Sequence, residues 1–83
     1  MSINIKVLGT GCPKCKALEK TIREVVDENR YDAEIEKVED IVKIMNYGIL
    51  ATPGMAINDK VVASGRLLSK DEIKNLIEKH LNG

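Results

Sequence analysis

Cys12 and Cys15 are the only cysteines in this chain of 83 residues, and Pro13 and Lys14 stand between them. Two sulfurs at this spacing can open and close as a disulfide, or can share a soft metal ion. They close too short a loop to staple a fold, so the pair is chemical rather than structural. Only the thiolate attacks a disulfide, and a free Cys ionises near pKa 8.5, so the surroundings decide reactivity. Pro13 suits the first position of a helix, where its missing N–H costs nothing, and this puts Cys12 at the N-cap. Unpaired backbone N–H groups and the helix dipole favour an anion there. Lys14 and Lys16 add positive potential nearby. Cys15 lies inside the helix on a stripe with Leu18 and Ile22, so it is the more buried sulfur. Cys12 is therefore the expected nucleophile and Cys15 the expected resolving thiol.

The elements that must position this pair follow from the periodicity. Ser2–Leu8 carries Ile3, Ile5 and Val7 at period two, a strand pattern that Gly9-Thr10-Gly11 breaks. From Pro13 the spacing becomes helical, with Cys15, Leu18, Ile22, Val25 and Val26 on one stripe. Asp32–Val38 alternates Ala33 and Ile35 with Asp32, Glu34 and Glu36, a half-solvated strand at a sheet edge. A short helix over Asp40–Tyr47 turns Ile41, Ile44 and Met45 inward and stops at Gly48. Ile49–Pro53 is a loop. Met55–Ile57 and Val61–Ala63 flank Asn58-Asp59-Lys60 as a tight hairpin, which Gly65-Arg66 ends. Ser69 and Glu72 have capping-box spacing before a last helix marked by Ile73, Leu76, Ile77 and Leu81.

The order is β-α-β-α-β-β-α, an α/β layer fold. The first βαβ gives a parallel pair and the hairpin adds antiparallel strands. The expected sheet has four strands in the order 2-1-3-4, with the first and third helices on one face and the second on the other. The whole of residues 1–83 reads as a single domain.

Composition narrows the function. Lys+Arg and Asp+Glu balance at 13 each, and no basic run displaces counterions from nucleic acid. Ten Ile, seven Val and seven Leu stand beside two Tyr and no Phe or Trp, which removes the stacking platforms of single-strand binders. No apolar run reaches the ~18 residues of a membrane span, and the N-terminus lacks the apolar core of a signal peptide. The expectation is a cytoplasmic monomer that binds neither nucleic acid nor membrane.

Cys12-Pro13-Lys14-Cys15 between a first strand and a first helix, with Thr52-Pro53 before a hairpin, resembles the thioredoxin/glutaredoxin superfamily. It is most similar to the short thioredoxin-like small redox-active disulfide proteins, which share the Gly-Thr-Gly-Cys-x-x-Cys start. The resemblance runs from Ile3 to the last helix. It implies a minimal thioredoxin-like fold and a thiol–disulfide oxidoreductase that carries electrons through a reversible Cys12–Cys15 disulfide, without metal or organic cofactor. It implies client proteins with disulfides, and a disulfide reductase or other dithiol donor as partner. It also implies that Pro53 is cis and that Thr52 pairs with the main chain of an extended substrate. Pro13, Lys14 and Gly65 complete the expected substrate-contacting set, Gly65 by letting the partner's backbone approach.

The sequence departs from the family in three places. Thr10-Gly11 stands where typical thioredoxins have a Trp. Lys6 occupies the position of their buried Asp, where it could lie under the pair and serve the Cys15 proton, or simply join Asn4 on the strand's polar face. Ser64-Gly65-Arg66-Leu67 replaces the Gly-Gly-x-Asp with which glutaredoxins hold glutathione, and this counts against glutathione as co-substrate.

A rival reading is a small Cu(I) or Zn module using the same two sulfurs. Copper and mercury chaperones place Cys-x-x-Cys between a first strand and helix, but they run β-α-β-β-α-β with a Met before the first cysteine. A structural zinc needs four ligands, and His80, the only His, falls in the last helix's final turn as a dipole partner. A third reading is a redox-inactive adaptor that docks partners through the same groove. Glu34, Glu36, Glu39 and Asp40 read as a guard against strand pairing, and Tyr47 as a residue packed under the loop.

Overall fold

A computed structural model of the chain describes residues 2–49 and 51–82, with Asn82 described by its backbone alone. Leu50, placed by the sequence in the loop before Pro53, lies outside the described residues. The elements are β1 (Ile3–Leu8), α1 (Pro13–Asn29), β2 (Ala33–Val38), α2 (Ile41–Asn46), β3 (Gly54–Ile57), β4 (Lys60–Ser64) and α3 (Lys70–Asn82).

The four strands form one sheet in the order β2-β1-β3-β4. β1 runs parallel to β2, from Ile3 opposite Ala33 to Leu8 opposite Val38. It runs antiparallel to β3, with Ile5 opposite Ile57 and Leu8 opposite Gly54. β3 pairs with β4 through a bulge at Met55/Ala56. The hairpin turns on Asn58 and Asp59, at φ 51° and 67°, so Lys60 already belongs to β4. Two successive left-handed residues match the right-handed strand twist, and Asn and Asp tolerate that conformation best after Gly.

Strand alternation sorts the core into two layers. Ile3, Ile5, Val7, Met55 and Ile57 face α1 and α3, which contribute Leu18, Ile22, Val25, Ile73 and Ile77. On the opposite face Leu8 and Ala56 meet Ile44 and Ile49. All five residues of the α1 stripe are buried, as their spacing requires. α3 begins with the reciprocal bonds of a capping box: Glu72 N–H donates to Ser69 Oγ at 3.2 Å, and Ser69 N–H to Glu72 Oε1 at 3.1 Å.

α2 departs from expectation. Ile44 alone is buried, while Ile41, Val42 and Met45 are 54%, 62% and 59% exposed. A helix of six residues presents little more than one position to a sheet face. Its start is fixed by the Asp40 carboxylate, which accepts Val42 N–H at 2.8 Å. Its end is fixed by Gly48 at φ 83°, a conformation that glycine adopts without strain. The caps set the rotation, and the rotation leaves Ile41 and Met45 outside.

Candidate active site

The sheet register assembles one end of the molecule. Leu8 lies opposite Gly54, and Gly54 opposite Ser64. The chain leaving β1 towards Cys12, the residues entering β3 and the residue leaving β4 therefore meet at the same edge. Thr52, Pro53 and Gly65 stand there. Gly65 N–H donates to the Pro53 carbonyl at 2.9 Å, and the Thr52–Pro53 peptide is cis. Pro53 is fully buried and Thr52 half-buried. Gly65 is exposed, but its N–H is taken by its own chain and not offered to a partner.

Cys12 is the N-cap of α1, in extended backbone at φ −66° and ψ 162°, with Pro13 following at the helix start. Its sulfur accepts the Cys15 N–H at 3.2 Å, and its carbonyl accepts the Lys16 N–H at 3.0 Å. The Cys12 and Cys15 sulfurs are bonded to each other, with the two Cα atoms 5.0 Å apart. Cys12 is half-buried, whereas Cys15 is only 4% exposed. Pro13 and Lys14 flank the pair on the exposed side. No acidic residue lies in the first turn of α1, so nothing there opposes a negative sulfur.

Beneath Cys15 is a cavity of about 30 Å³, bordered by Val7, Gly9, Glu19 and Lys37 among others. Glu19 accepts Arg23 Nε–H at 3.0 Å and faces Lys37 Nζ at 3.9 Å. Sequence spacing alone does not place both of these charges beside the pair. Glu19 follows Cys15 by one helical turn, a spacing visible in the sequence; Lys37 arrives through the register of the β1–β2 pair, which sets it opposite Val7 and which the sequence leaves unspecified.

Lys6 does not lie under the sulfurs. Val7 is the β1 residue bordering the Cys15 cavity, so alternation sends Lys6 to the opposite face. There Lys6 Nζ donates to Asp59 Oδ1 at 2.7 Å and sits 5.8 Å from the Tyr47 ring centre. Tyr47 Oη–H also donates to Asp59, at 3.0 Å. The hydrogen bond from Lys6, then that from Tyr47, holds the Asp59 carboxyl below its ordinary range, and Asp59 in turn raises the Lys6 ammonium. Tyr47 packs against the small core layer that holds Ile44 and Ile49, and its hydroxyl also ties the end of α2 to the hairpin turn. His80 Nδ1 lies 2.9 Å from the Leu76 carbonyl, within its own helix.

Beside Thr52 runs an apolar groove of about 170 Å³, bordered by Ile41, Ile44, Met45 and Ile49. Among the described residues, no group of three or more His, Cys, Asp or Glu side chains is arranged to hold a metal ion, and no helix is long and apolar enough to cross a membrane.

Comparison with known proteins agrees with this geometry. The family profile described as "Thioredoxin domain" matches residues 3–78. A thioredoxin of Methanothermobacter thermautotrophicus is 41% identical over 75 residues, which cover 90% of this chain and 97% of the relative. A thioredoxin of Methanocaldococcus jannaschii is 39% identical over 79 residues, covering 95% and 91%. A solved chain described as a malarial protein superposes with a TM-score of 0.73 over 98% of this chain and 99% of its own, at 15% identity. At that identity it speaks for the fold alone.

Proposed function

The chain belongs to the thioredoxin-domain family and is a thiol–disulfide oxidoreductase, and from that premise we propose how its residues divide the chemistry. Members of this family work in general between disulfide-bearing client proteins and a reductase. Cys12 is the nucleophile and Cys15 the resolving thiol. The observation that carries this assignment is the asymmetry of the pair: Cys12 caps α1 at the surface and receives a backbone N–H, while Cys15 is buried one turn inside.

The reduced protein presents the Cys12 thiolate to a client disulfide. Its Sγ bonds one client sulfur, the client S–S bond breaks, and the second client sulfur leaves as a thiolate that takes a proton. Cys15, having lost its own proton, then attacks Cys12 Sγ and breaks the bond between the proteins. The client leaves with two thiols and the Cys12–Cys15 disulfide holds the oxidising equivalent. A dithiol donor restores the pair by the reverse sequence. The electrons balance on the sulfurs alone, so no organic cofactor or metal is required.

Thr52 and Pro53 shape the client groove, with Pro13, Lys14 and Gly65 on its rim. The exposed Ile41 and Met45 give an extended client an apolar surface beside Thr52. The departure at Ser64-Gly65-Arg66-Leu67 supports a protein dithiol in preference to glutathione. All four strands join one sheet, which supports reading residues 1–83 as one domain. Use of just two cysteines, as a close pair, supports a reducing, cytoplasmic setting.

Trapping tests the roles. Cys15→Ser leaves the first bond unresolved, so it accumulates mixed disulfides with client proteins, and Cys12→Ser does not. Equal trapping by both variants, or by neither, overturns the assignment. Stoichiometric Cu(I) binding without dithiol-coupled insulin reduction would return the metal reading.

A further inference from the structure

Gly9 follows β1 directly, and its N–H donates to the Val38 carbonyl at 3.0 Å, extending the β1–β2 ladder by one rung. The backbone does not explain why glycine stands there. The glycines in left-handed conformation among the described residues are Gly11, Gly48 and Gly65, not Gly9. Its surroundings do explain it. A Cβ at Gly9 would overlap Cys15 Sγ and stand 2.9 Å from Cys15 Cβ. The sulfur of Cys15 occupies the space that any side chain at Gly9 would fill.

We propose that Gly9 is a positioning residue of the redox step: its bare Cα seats Cys15 Sγ against the end of β1, within reach of Cys12, and so sets the poise of the Cys12–Cys15 couple. The inference rests on the oxidoreductase reading and adds to it a residue with no side chain to bond or titrate. The two redox states respond differently to crowding at this point. A free Cys15 thiol can turn to another χ1 rotamer and take its sulfur away from a methyl group, while the 2.9 Å approach to Cys15 Cβ is common to both redox states. The bonded sulfur is fixed by its link to Cys12 and cannot turn. Alanine at this position therefore penalises the disulfide more than the dithiol, makes the couple more oxidising, and slows release of client from the mixed disulfide.

The test is a redox titration of the unchanged protein and Gly9→Ala against a defined thiol buffer, with denaturant unfolding of both. Unfolding of Cys15→Ala and of the double variant Gly9→Ala/Cys15→Ala completes the set. The expected result is a roughly tenfold fall in the equilibrium constant for disulfide closure, about 30 mV in the oxidising direction. The stability cost of Gly9→Ala should fall by at least half once Cys15 has lost its sulfur. A change in the equilibrium constant of less than threefold overturns the proposal, as does an equal stability cost in both backgrounds. If Gly9→Ala alone does not fold, the double variant decides: folding supports a clash with the Cys15 sulfur, and failure to fold, which would place the crowding at Cys15 Cβ instead, overturns it. Absence of any reversible couple in the unchanged protein sinks the oxidoreductase reading, while the unfolding arm still judges the contact between Gly9 and Cys15.

Discussion

The Cys12 sulfur owes its environment to one backbone position and one hydrogen bond. Pro13 starts the helix, Cys12 caps it, and the Cys15 N–H at 3.2 Å points at the sulfur. A capping sulfur takes the place that Ser or Asp usually fills, so anionic character at Cys12 and helix formation favour each other. A different residue reports on the body of the fold. Tyr31 is half-buried against the α1/α3 layer and donates to Glu78 at 2.6 Å. Burial first, and the neighbouring carboxylate second, push its phenol up to about 12. A raised pKa on an acid favours the protonated form in the folded state. Its stabilising contribution is therefore complete below pH 10 and is lost as pH rises through about 12. In Tyr47→Phe, which leaves Tyr31 as the single tyrosine, phenolate absorbance should rise near pH 12. Glu78→Gln should move that rise towards 10, and a rise already at 10 in Tyr47→Phe would contradict the burial of Tyr31.

At the scale of elements, helix length decides how reliably a face can be assigned. α1 has 17 residues, and its apolar stripe repeats over enough turns to fix the buried side without ambiguity. α2 has six residues, and its apolar positions fit more than one rotation. Asp40 and Gly48 choose the rotation that buries Ile44 and turns Ile41, Val42 and Met45 outward. Substitution should follow that choice. Ile44→Ala removes a fully packed side chain and is expected to cost about 2–5 kcal/mol in denaturant unfolding. Met45→Lys should stay within about 0.5 kcal/mol of the unchanged protein, as exposed positions do. The same substitution should weaken reduction of an unfolded, apolar client, because Met45 borders the groove beside Thr52. A large stability loss in Met45→Lys would show that α2 packs with the rotation expected from sequence.

Across the whole molecule, the sheet separates a large aliphatic layer under α1 and α3 from a small one under α2. The smaller layer is reinforced by polar contacts at its rim. Asp59 in the hairpin turn receives Lys6 from β1 and Tyr47 from the end of α2, joining three elements distant in sequence. Its carboxyl is held low by the Lys6 hydrogen bond and then by that of Tyr47. Depression means that its stabilisation is present above the ordinary Asp range near 3.8 and is lost as pH falls through the folded value. Asp59→Asn should unfold at lower denaturant than the unchanged protein at pH 6, and the gap should close by pH 2. Added salt should narrow it at pH 6, since the pair is exposed; a gap independent of pH would show that Asp59 acts through the turn conformation alone.

Much of this architecture is legible in the order of residues because its causes are local. The period of Ile3, Ile5 and Val7, the stripe through Cys15 and Leu18, the Ser69–Glu72 box and the Asn58-Asp59 turn each depend on neighbours a few positions away. They suffice for the element order, the helix faces of α1 and α3, and the place of Cys12 at a helix start. The Thr-Pro before the hairpin took its meaning from resemblance, not from local physics. What the chain order leaves open is which distant groups meet. Leu8 opposite Gly54 brings Pro53 and Gly65 to the cysteine end, and strand alternation sends Lys6 to Asp59 instead of to Cys15. Lys37 and Glu19 meet below Cys15, and Gly9 leaves its sulfur room, only once β1, β2 and α1 are packed. The close cysteine pair and its place at a helix start are legible in the sequence, because both follow from adjacent residues. Tertiary structure decided what surrounds the second sulfur, because that environment comes from strand register and from space left empty, which no single segment encodes.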